Sequence, residues 1–271
     1  MAAGDGHPGI DFPVTSPAQH VFITGASSGL GMALAREYAA QGAVLGLVAR
    51  RGEVLQALNA ELGGRHVCYA LDVRDRAALH AAAHDFQNRH AGRVDVVIAN
   101  AGISAGTLTD QRDDFDVFDA IIATNVLATV ATFEPFIEGM RARGEGRLVG
   151  IASVAGIRGL PGAGAYSASK AAVITYCESL RNELRGDGIR VVTIAPGYIR
   201  TAMTAKNPYR MPFLTDADVF ARRAVQTIAR GTSYRVIPWQ MGIVAKLMRL
   251  LPNVVFDRFA RNAPRKPRRQ P

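Results

Sequence analysis

Cysteine is scarce in this chain, with Cys68 and Cys177 the two among 271 residues. Two thiols cannot build a disulfide framework and suit a reducing compartment. Unbroken apolar runs are short as well. None approaches the roughly 18 residues that a bilayer-spanning helix needs, so no such helix is expected. The first twenty residues have neither a basic start nor an apolar stretch, and so do not read as a secretory signal. A cytoplasmic protein is the expectation. Lysine is sparse, supplying four of 32 cationic side chains. Six basic residues and no acids fall from Arg258 onward, which leaves the other 257 residues at only +3 of the +9 net charge. The basicity therefore belongs to a tail and not to a binding face of the body. What is plentiful is ordinary: 48% hydrophobic and 20% charged residues, values that argue against disorder over most of the length.

Residues 1–19 are rich in Gly, Pro and small polar types without periodicity, and read as a flexible N-terminal arm. From His20 onward short apolar runs alternate with longer segments of helical period. Strands are predicted over 20–24, 43–49, 66–71, 94–98, 147–151, 189–195 and 234–237. Helices are predicted over 30–41, 53–62, 75–90, 115–143, 165–185 and 216–230. No repeat or low-complexity linker divides the chain, so 20–237 reads as one domain and 238–271 as an amphipathic helical ending with a basic tail. Strands separated by long helices pair in parallel, because a parallel connection needs a long crossover. Runs that do not alternate polar and apolar suit strands covered on both faces. The expected fold is α/β, a doubly wound parallel sheet of about seven strands, with its ligand at the carboxyl ends of the strands.

Thr24-Gly25-Ala26-Ser27-Ser28-Gly29-Leu30-Gly31 lies between the first strand and the first helix. Glycines there allow a tight turn, and a helix amino terminus offers free N–H groups to a pyrophosphate. The spacing differs from the common G-x-G-x-x-G fingerprint, and a plain tight turn is the bland alternative. At the end of the second strand an acid would grip an adenosine ribose. Arg50 and Arg51 stand there instead, and guanidinium groups suit a ribose 2′-phosphate. NADP(H) is therefore expected over NAD(H). Tyr166 and Lys170 lie four apart on one helix face. A nearby ammonium favours the phenolate and makes a tyrosine a workable acid or base. Ser153 follows the fifth strand, where its hydroxyl could donate to a developing oxyanion.

Taken in order, Thr24 to Gly31, Asp72-Val73, Asn100-Ala101-Gly102, Asn125, Ser153, Tyr166 with Lys170, and Pro196-Gly197 resemble a classical short-chain dehydrogenase/reductase from about His20 to Thr201. The resemblance implies a Rossmann-type sheet. It makes Tyr166 the general acid/base and gives Lys170 the tasks of lowering its pKa and holding the nicotinamide ribose. It makes Ser153 the residue that polarises the substrate carbonyl, and has Asn125 hold a water that links Lys170 to solvent. Gly25, Ser27, Ser28, Gly29, Leu30 and Gly31 would cradle the pyrophosphate, and Asp72 and Val73 would flank the adenine. Asn100, Ala101 and Gly102 would line the middle of the cofactor. Pro196, Gly197, Ile199 and Thr201 would hold its nicotinamide end. Ala99 departs from the family, which often has an asparagine there. The family also implies a homodimer or homotetramer through the helices carrying Asn125 and Tyr166. The small-molecule substrate would be a ketone, an aldehyde or a secondary alcohol of moderate apolarity.

Other features carry less. The segment 198–214 contains Met203, Pro208, Tyr209, Met211, Pro212, Phe213 and Leu214, and serves equally as an apolar substrate lid or as a packed loop. His80 and His84 share a helix face but have no third ligand, so no metal is expected. Asp110, Asp113, Asp114, Asp116 and Asp119 are read as a solvated, dipole-favoured helix start. The apolar spacing of Ile243, Val244, Leu247, Met248 and Leu251 followed by a basic tail suits a helix over the substrate cleft with a loose end. Contact with an anionic membrane surface is the alternative. The tail lacks the interleaved aromatics of a nucleic-acid binder, and no nucleic acid is expected. Two rivals stay open: a nucleotide-binding interaction protein that docks through its tail, and the same chemistry run with NAD(H).

Overall fold

The order of the strands fixes where a ligand goes. In a computed structural model of the chain, residues 18–205, 207, 209–261 and 265–268 are described. Positions 1–17 of the expected arm, Pro208 of the expected lid and Arg269 of the basic tail lie outside those residues. The strands are β1 (His20–Thr24), β2 (Val44–Ala49), β3 (Val67–Ala70), β4 (Val96–Ala99), β5 (Gly146–Ile151), β6 (Ile189–Pro196), the two-residue β7 (Ile199–Arg200) and β8 (Thr215–Asp216), and β9 (Tyr234–Ile237). The helices are α1 (Gly29–Ala40), α2 (Gly52–Glu61), α3 (Arg76–Arg89), α4 (Asp114–Ile122), α5 (Ala128–Arg143), α6 (Gly164–Glu183), α7 (Ala217–Ala229), α8 (Trp239–Leu250) and α9 (Asn253–Ala260). Seven strands form one all-parallel sheet in the order β3-β2-β1-β4-β5-β6-β9. The order reverses between β1 and β4, where a crevice opens at the carboxyl ends of the strands.

Both faces of the sheet are covered, and this accounts for strands without polar alternation. Val21 and Ile23 of β1 pack to one side with Leu34, Leu55 and Phe220 from α1, α2 and α7. Phe22 points the other way, against Leu79, Phe86 and Phe136 from α3 and α5. Phe22 lies 5.0 Å from Phe136 and 5.7 Å from Phe86, centroid to centroid. A Cβ on Gly46 of β2 would sit 2.7 Å from the Phe22 ring, so the aromatic layer dictates a glycine there.

The helix predicted over 115–143 is continuous in direction but not in hydrogen bonding. A π-helical turn, Ala123–Leu127, separates α4 from α5 and carries Asn125. By length and composition the span Asp114–Arg143 could cross a membrane, which reading for unbroken apolar runs overlooked. Its hydroxyls hide their polarity: Thr129 Oγ1 donates to the Asn125 carbonyl at 2.9 Å and Thr132 Oγ1 to that of Ala128 at 2.6 Å. Much of the helix is inside the fold, with Phe133, Phe136 and Met140 buried against the sheet.

β7 and β8 pair with each other beyond the end of β6 and bracket the segment 198–214. The two C-terminal helices are fastened by Arg158, which donates to the carbonyls of Met248 (2.6 Å) and Leu251 (2.7 Å). The same guanidinium lies 4.0 Å from the Phe256 ring centroid.

Candidate active site

The crevice begins with a tie between β1 and β4. Thr24 Oγ1 accepts from the backbone N–H groups of Asn100 (3.1 Å) and Ala101 (3.2 Å). The Asn100 amide returns two hydrogen bonds, to the carbonyls of Thr24 (2.9 Å) and Gly25 (3.2 Å). Ala99 is buried in β4, and Asn100 and Thr24 make the cross-strand tie beside it. The glycines of the turn are set by this packing. A Cβ on Gly25 would lie 2.8 Å from Ala101 Cα, and one on Gly31 would meet Asn100 Nδ2 at 2.6 Å and the Gly25 carbonyl. Gly25 and Gly29 also have φ of 71° and 53°, a region that disfavours side chains. The result is a bare backbone turn at the start of α1. Ser28 lies in it exposed, Leu30 is half-buried against the core, and Ser27 is buried.

Positive charge gathers next to this turn. Arg51 Nη2 donates to the carbonyl and hydroxyl oxygens of Ser27 at 2.9 and 3.1 Å. Arg50 is exposed at the end of β2, and its charge helps hold the Asp72 carboxyl below its ordinary pKa, though a hydrogen bond from Arg74 is the larger cause. Arg74 makes that bond through Nη2 at 2.7 Å. Sequence reasoning passed over Arg74, because no motif marks it. Val73 is buried beside this cluster.

The nicotinamide-end candidates come in from β6. Pro196 and Ile199 are buried, and Gly197 N–H donates to the Ile237 carbonyl at 2.8 Å. A Cβ on Gly197 would fall 2.6 Å from Met241. Thr201 stands over the glycine turn, its methyl 3.3 Å from where a Cβ on Gly29 would be. The segment that follows is partly packed, with Tyr209 edge-on to Tyr198 at 6.3 Å, while Met203 and Phe213 are exposed.

The reactive cluster is built from three elements. Ser153 follows β5 and caps the short helical turn Val154–Gly156, accepting from Ala155 N–H at 3.2 Å. That turn sits directly on α6, since a Cβ on Gly156 would be 2.6 Å from the Lys170 carbonyl carbon. Ser153 is thereby held to the helix that carries Tyr166 and Lys170. Asn125 is buried in the π turn, accepts from Ile103 N–H at 2.9 Å and donates to Ile103 O (3.0 Å) and Ser169 Oγ (2.9 Å). Gly102 fits between Asn125 and Lys170, with 3.2 Å from its Cβ position to Asn125 Oδ1 and 3.5 Å to Lys170 Nζ.

The electrostatics differ from the simple picture of an ammonium activating a phenol. Lys170 Nζ donates to the Ile151 carbonyl at 2.8 Å and stands 5.8 Å from the Tyr166 ring centroid. Burial pulls Lys170 down from 10.5 to about 8. Burial raises Tyr166, and hydrogen bonding with Ser153 opposes it. Burial therefore shifts both groups toward their neutral forms, yet with a pKa of about 8 Lys170 still carries its ammonium at neutral pH.

Two tail residues also reach this site, against the expectation of a loose basic end. Lys266 Nζ lies 5.4 Å from the Tyr166 ring centroid, and Arg268 pairs with Asp114 at 2.9 Å. Asp114 is correspondingly buried and not part of a solvated helix start, although Asp110, Asp113, Asp116 and Asp119 are exposed. No motif signals these contacts, because they join residues 100 and 154 positions apart. Among the described residues no cluster of potential metal ligands occurs.

The chain is similar to known proteins over most of its length. Residues 19–211 match the model of a family described as short chain dehydrogenase. A Myxococcus xanthus protein called an uncharacterized oxidoreductase is 39% identical over 241 residues, covering 88% of this chain and 95% of its own. A Sphingomonas 2-dehydro-3-deoxy-L-rhamnonate dehydrogenase (NAD(+)) is 38% identical over 186 residues, 69% of this chain and 74% of that one. The crystal structure of levodione reductase superposes with a TM-score of 0.73 at 28% identity, over 83% of this chain and 98% of the other.

Proposed function

The chain belongs to the short-chain dehydrogenase family, nicotinamide-dependent oxidoreductases of alcohol and ketone groups, and from that premise we propose an NADP(H)-dependent carbonyl reductase or secondary alcohol dehydrogenase in which Tyr166 moves the proton. The observation that carries this reading is the convergence of Ser153, Tyr166 and Lys170 on one wall of the crevice whose other wall is the glycine turn.

A dinucleotide fits the residues present. The crowding around Gly25 and Gly31 leaves a cradle of bare backbone at a helix amino terminus, which suits a pyrophosphate. Gly25, Ser27, Ser28, Gly29, Leu30 and Gly31 would hold it, Asp72 and Val73 the adenine, and Asn100, Ala101 and Gly102 the middle. Pro196, Gly197, Ile199 and Thr201 would hold the nicotinamide end, with Tyr166 and Lys170 beside it. Arg50, supported by Arg51 and Arg74, supplies the charge for a 2′-phosphate. The Sphingomonas relative is named for NAD(+), so NAD(H) is the competing reading. The bound nicotinamide supplies or accepts a hydride. The Ser153 hydroxyl and the Tyr166 phenol both donate to the substrate oxygen, and Tyr166 releases its proton as that oxygen becomes an alkoxide. Lys170 opposes the phenolate charge left behind, and Asn125 fixes the loop at Ile103 next to it.

Exposed Phe115, Phe118 and Leu127 along α4 and the π turn support assembly as a homodimer or homotetramer. Exposed Ile243, Leu247, Leu250 and Val254 on α8 and α9 support peripheral contact with an anionic membrane surface. The two free cysteines support a cytoplasmic setting.

The test is titration with NADPH and NADH, then nicotinamide absorbance decay against a panel of ketones and aldehydes. Tyr166→Phe should lose about 10²–10⁴ of turnover and keep its nucleotide affinity. Failure to bind either nucleotide sinks the reading, and full turnover by Tyr166→Phe removes Tyr166 from its role.

A further inference from the structure

Residues 265–268 cross the substrate side of the crevice. The Pro267 carbonyl accepts from Gly106 N–H at 2.9 Å. Arg268 grips the Asp114 carboxylate with Nε at 2.9 Å and Nη2 at 3.0 Å. A Cβ on Gly106 would come within 3.0 Å of the Pro267 carbonyl, so the close crossing depends on that glycine. On the other bank the Arg265 side chain lies 3.1 Å from the Cβ position of Gly162, just before α6. Residues 265–268 thus span from the loop after β4 to the turn entering α6, beside Tyr166.

Between these anchors Lys266 turns inward. Its ammonium donates to Ser104 Oγ at 2.6 Å and is 5.4 Å from the Tyr166 ring centroid. Among the described residues no carboxylate forms an ion pair with it, and burial alone displaces its pKa, downward. Lys266 is half-buried, and a cation partly withdrawn from water without a counter-charge gains where something anionic meets it. Ser104 accepts from Lys266 and so has its own hydroxyl hydrogen free to donate. Ammonium and hydroxyl together offer two donors to the two oxygens of a carboxylate.

We propose that Lys266, with Ser104, binds a carboxylate on the substrate, so that the enzyme takes oxo acids and the matching hydroxy acids. This rests on the reading of Tyr166 as the group that meets the reacting oxygen. The spacing of Lys266 from the Tyr166 ring puts both ends within reach of one short molecule, its carbonyl at the phenol and its carboxylate at the ammonium. Specificity then resides in the tail strand that crosses the cleft, outside the sheet that carries the chemistry.

The experiment compares 2-oxopentanoate and 4-oxopentanoate with their methyl esters, supplying NADPH and NADH in turn. In wild type at least one acid should exceed its ester in kcat/KM by about tenfold or more, through KM, as expected for a charge-assisted hydrogen bond. Lys266→Met should collapse that acid-to-ester ratio, and Lys266→Arg should recover most of it. A ratio that Lys266→Met leaves intact overturns the proposal, even if both rates fall, since Lys266 would then act on the phenol or the loop and not on a substrate charge. So does a wild type that prefers the esters. Calorimetric binding of the same compounds to both proteins separates the two layers of argument. Acid affinity present in wild type and lost in Lys266→Met upholds the anion site even where no carbonyl is reduced, while equal affinity overturns it.

Discussion

Arg51 holds Ser27 by two hydrogen bonds, at 2.9 and 3.1 Å, and in doing so joins the start of α2 to the glycine turn. Arg50, next to it in sequence, is exposed at the strand end. Two adjacent arginines therefore differ: Arg51 is tied to the glycine turn, and Arg50 is the one the proposed NADP(H) reading assigns to a 2′-phosphate.

Arg50→Ala should lower the preference for NADPH over NADH by roughly tenfold to a hundredfold, the range for losing a charge-assisted hydrogen bond. Arg51→Ala should weaken both nucleotides alike, because it loosens the turn they share. Fluorescence titration of each variant with both nucleotides separates these effects. An unchanged NADPH preference in Arg50→Ala would remove that residue from the selectivity.

Lys170 links folding to pH. Its folded pKa of about 8 lies below its ordinary 10.5, so between these values the unfolded chain binds more protons than the folded one. Stability relative to Lys170→Met should therefore rise with pH across that window, by roughly 3 kcal/mol in total, and stay flat below it. Urea midpoints of both proteins at several pH values between about 7 and 10.5 test this. A difference that does not move with pH contradicts the burial of a charged ammonium.

The glycine turn should not tolerate a methyl group at its third glycine. In Gly31→Ala the new Cβ would lie 2.6 Å from Asn100 Nδ2 and against the Gly25 carbonyl. Neither neighbour can retreat without breaking the tie between β1 and β4, so a loss of about 3 kcal/mol or more is expected. Thermal melting with and without NADPH should show a lowered midpoint and a lost nucleotide-induced rise.

Arg268→Gln should release the tail strand while leaving the hydrogen bond from Leu108 N–H to Asp114 at 2.7 Å in place. Limited trypsin digestion should then cut between Arg265 and Lys266 faster than in wild type, with the melting midpoint little changed. Equal cleavage rates would mean that the ion pair does not hold the strand.

The sheet was readable in advance because its signal is local. A buried strand such as Phe22 with its neighbours announces itself as an apolar run, and the glycine turn and the Tyr166–Lys170 spacing are short motifs. The π turn at Asn125 was not readable, since one widened turn leaves the helical pattern almost unchanged. The pairing of Ile199–Arg200 with Thr215–Asp216 involves too few residues to register as strands. Asp114 looked like one of five surface acids, and Lys266 like one of six tail cations. What sets them apart is a meeting across 154 and 162 residues, which depends on the path of a chain segment with no periodic pattern. The direction of the Lys170 ammonium, toward the Ile151 carbonyl, likewise follows from how α6 packs on β5 and not from the spacing to Tyr166.

A cleft whose wall comes from residues 265–268 is finished late in synthesis. The residues proposed for the nucleotide run no further than Thr201, and Gly197 packs on Ile237 and Met241, so a ribosome-bound chain has all of them before Lys266 emerges. A chain ending after α9 would keep every residue proposed for the nucleotide and lose Lys266. On the proposed reading, substrate selectivity is the last property the fold acquires, when Arg268 reaches Asp114.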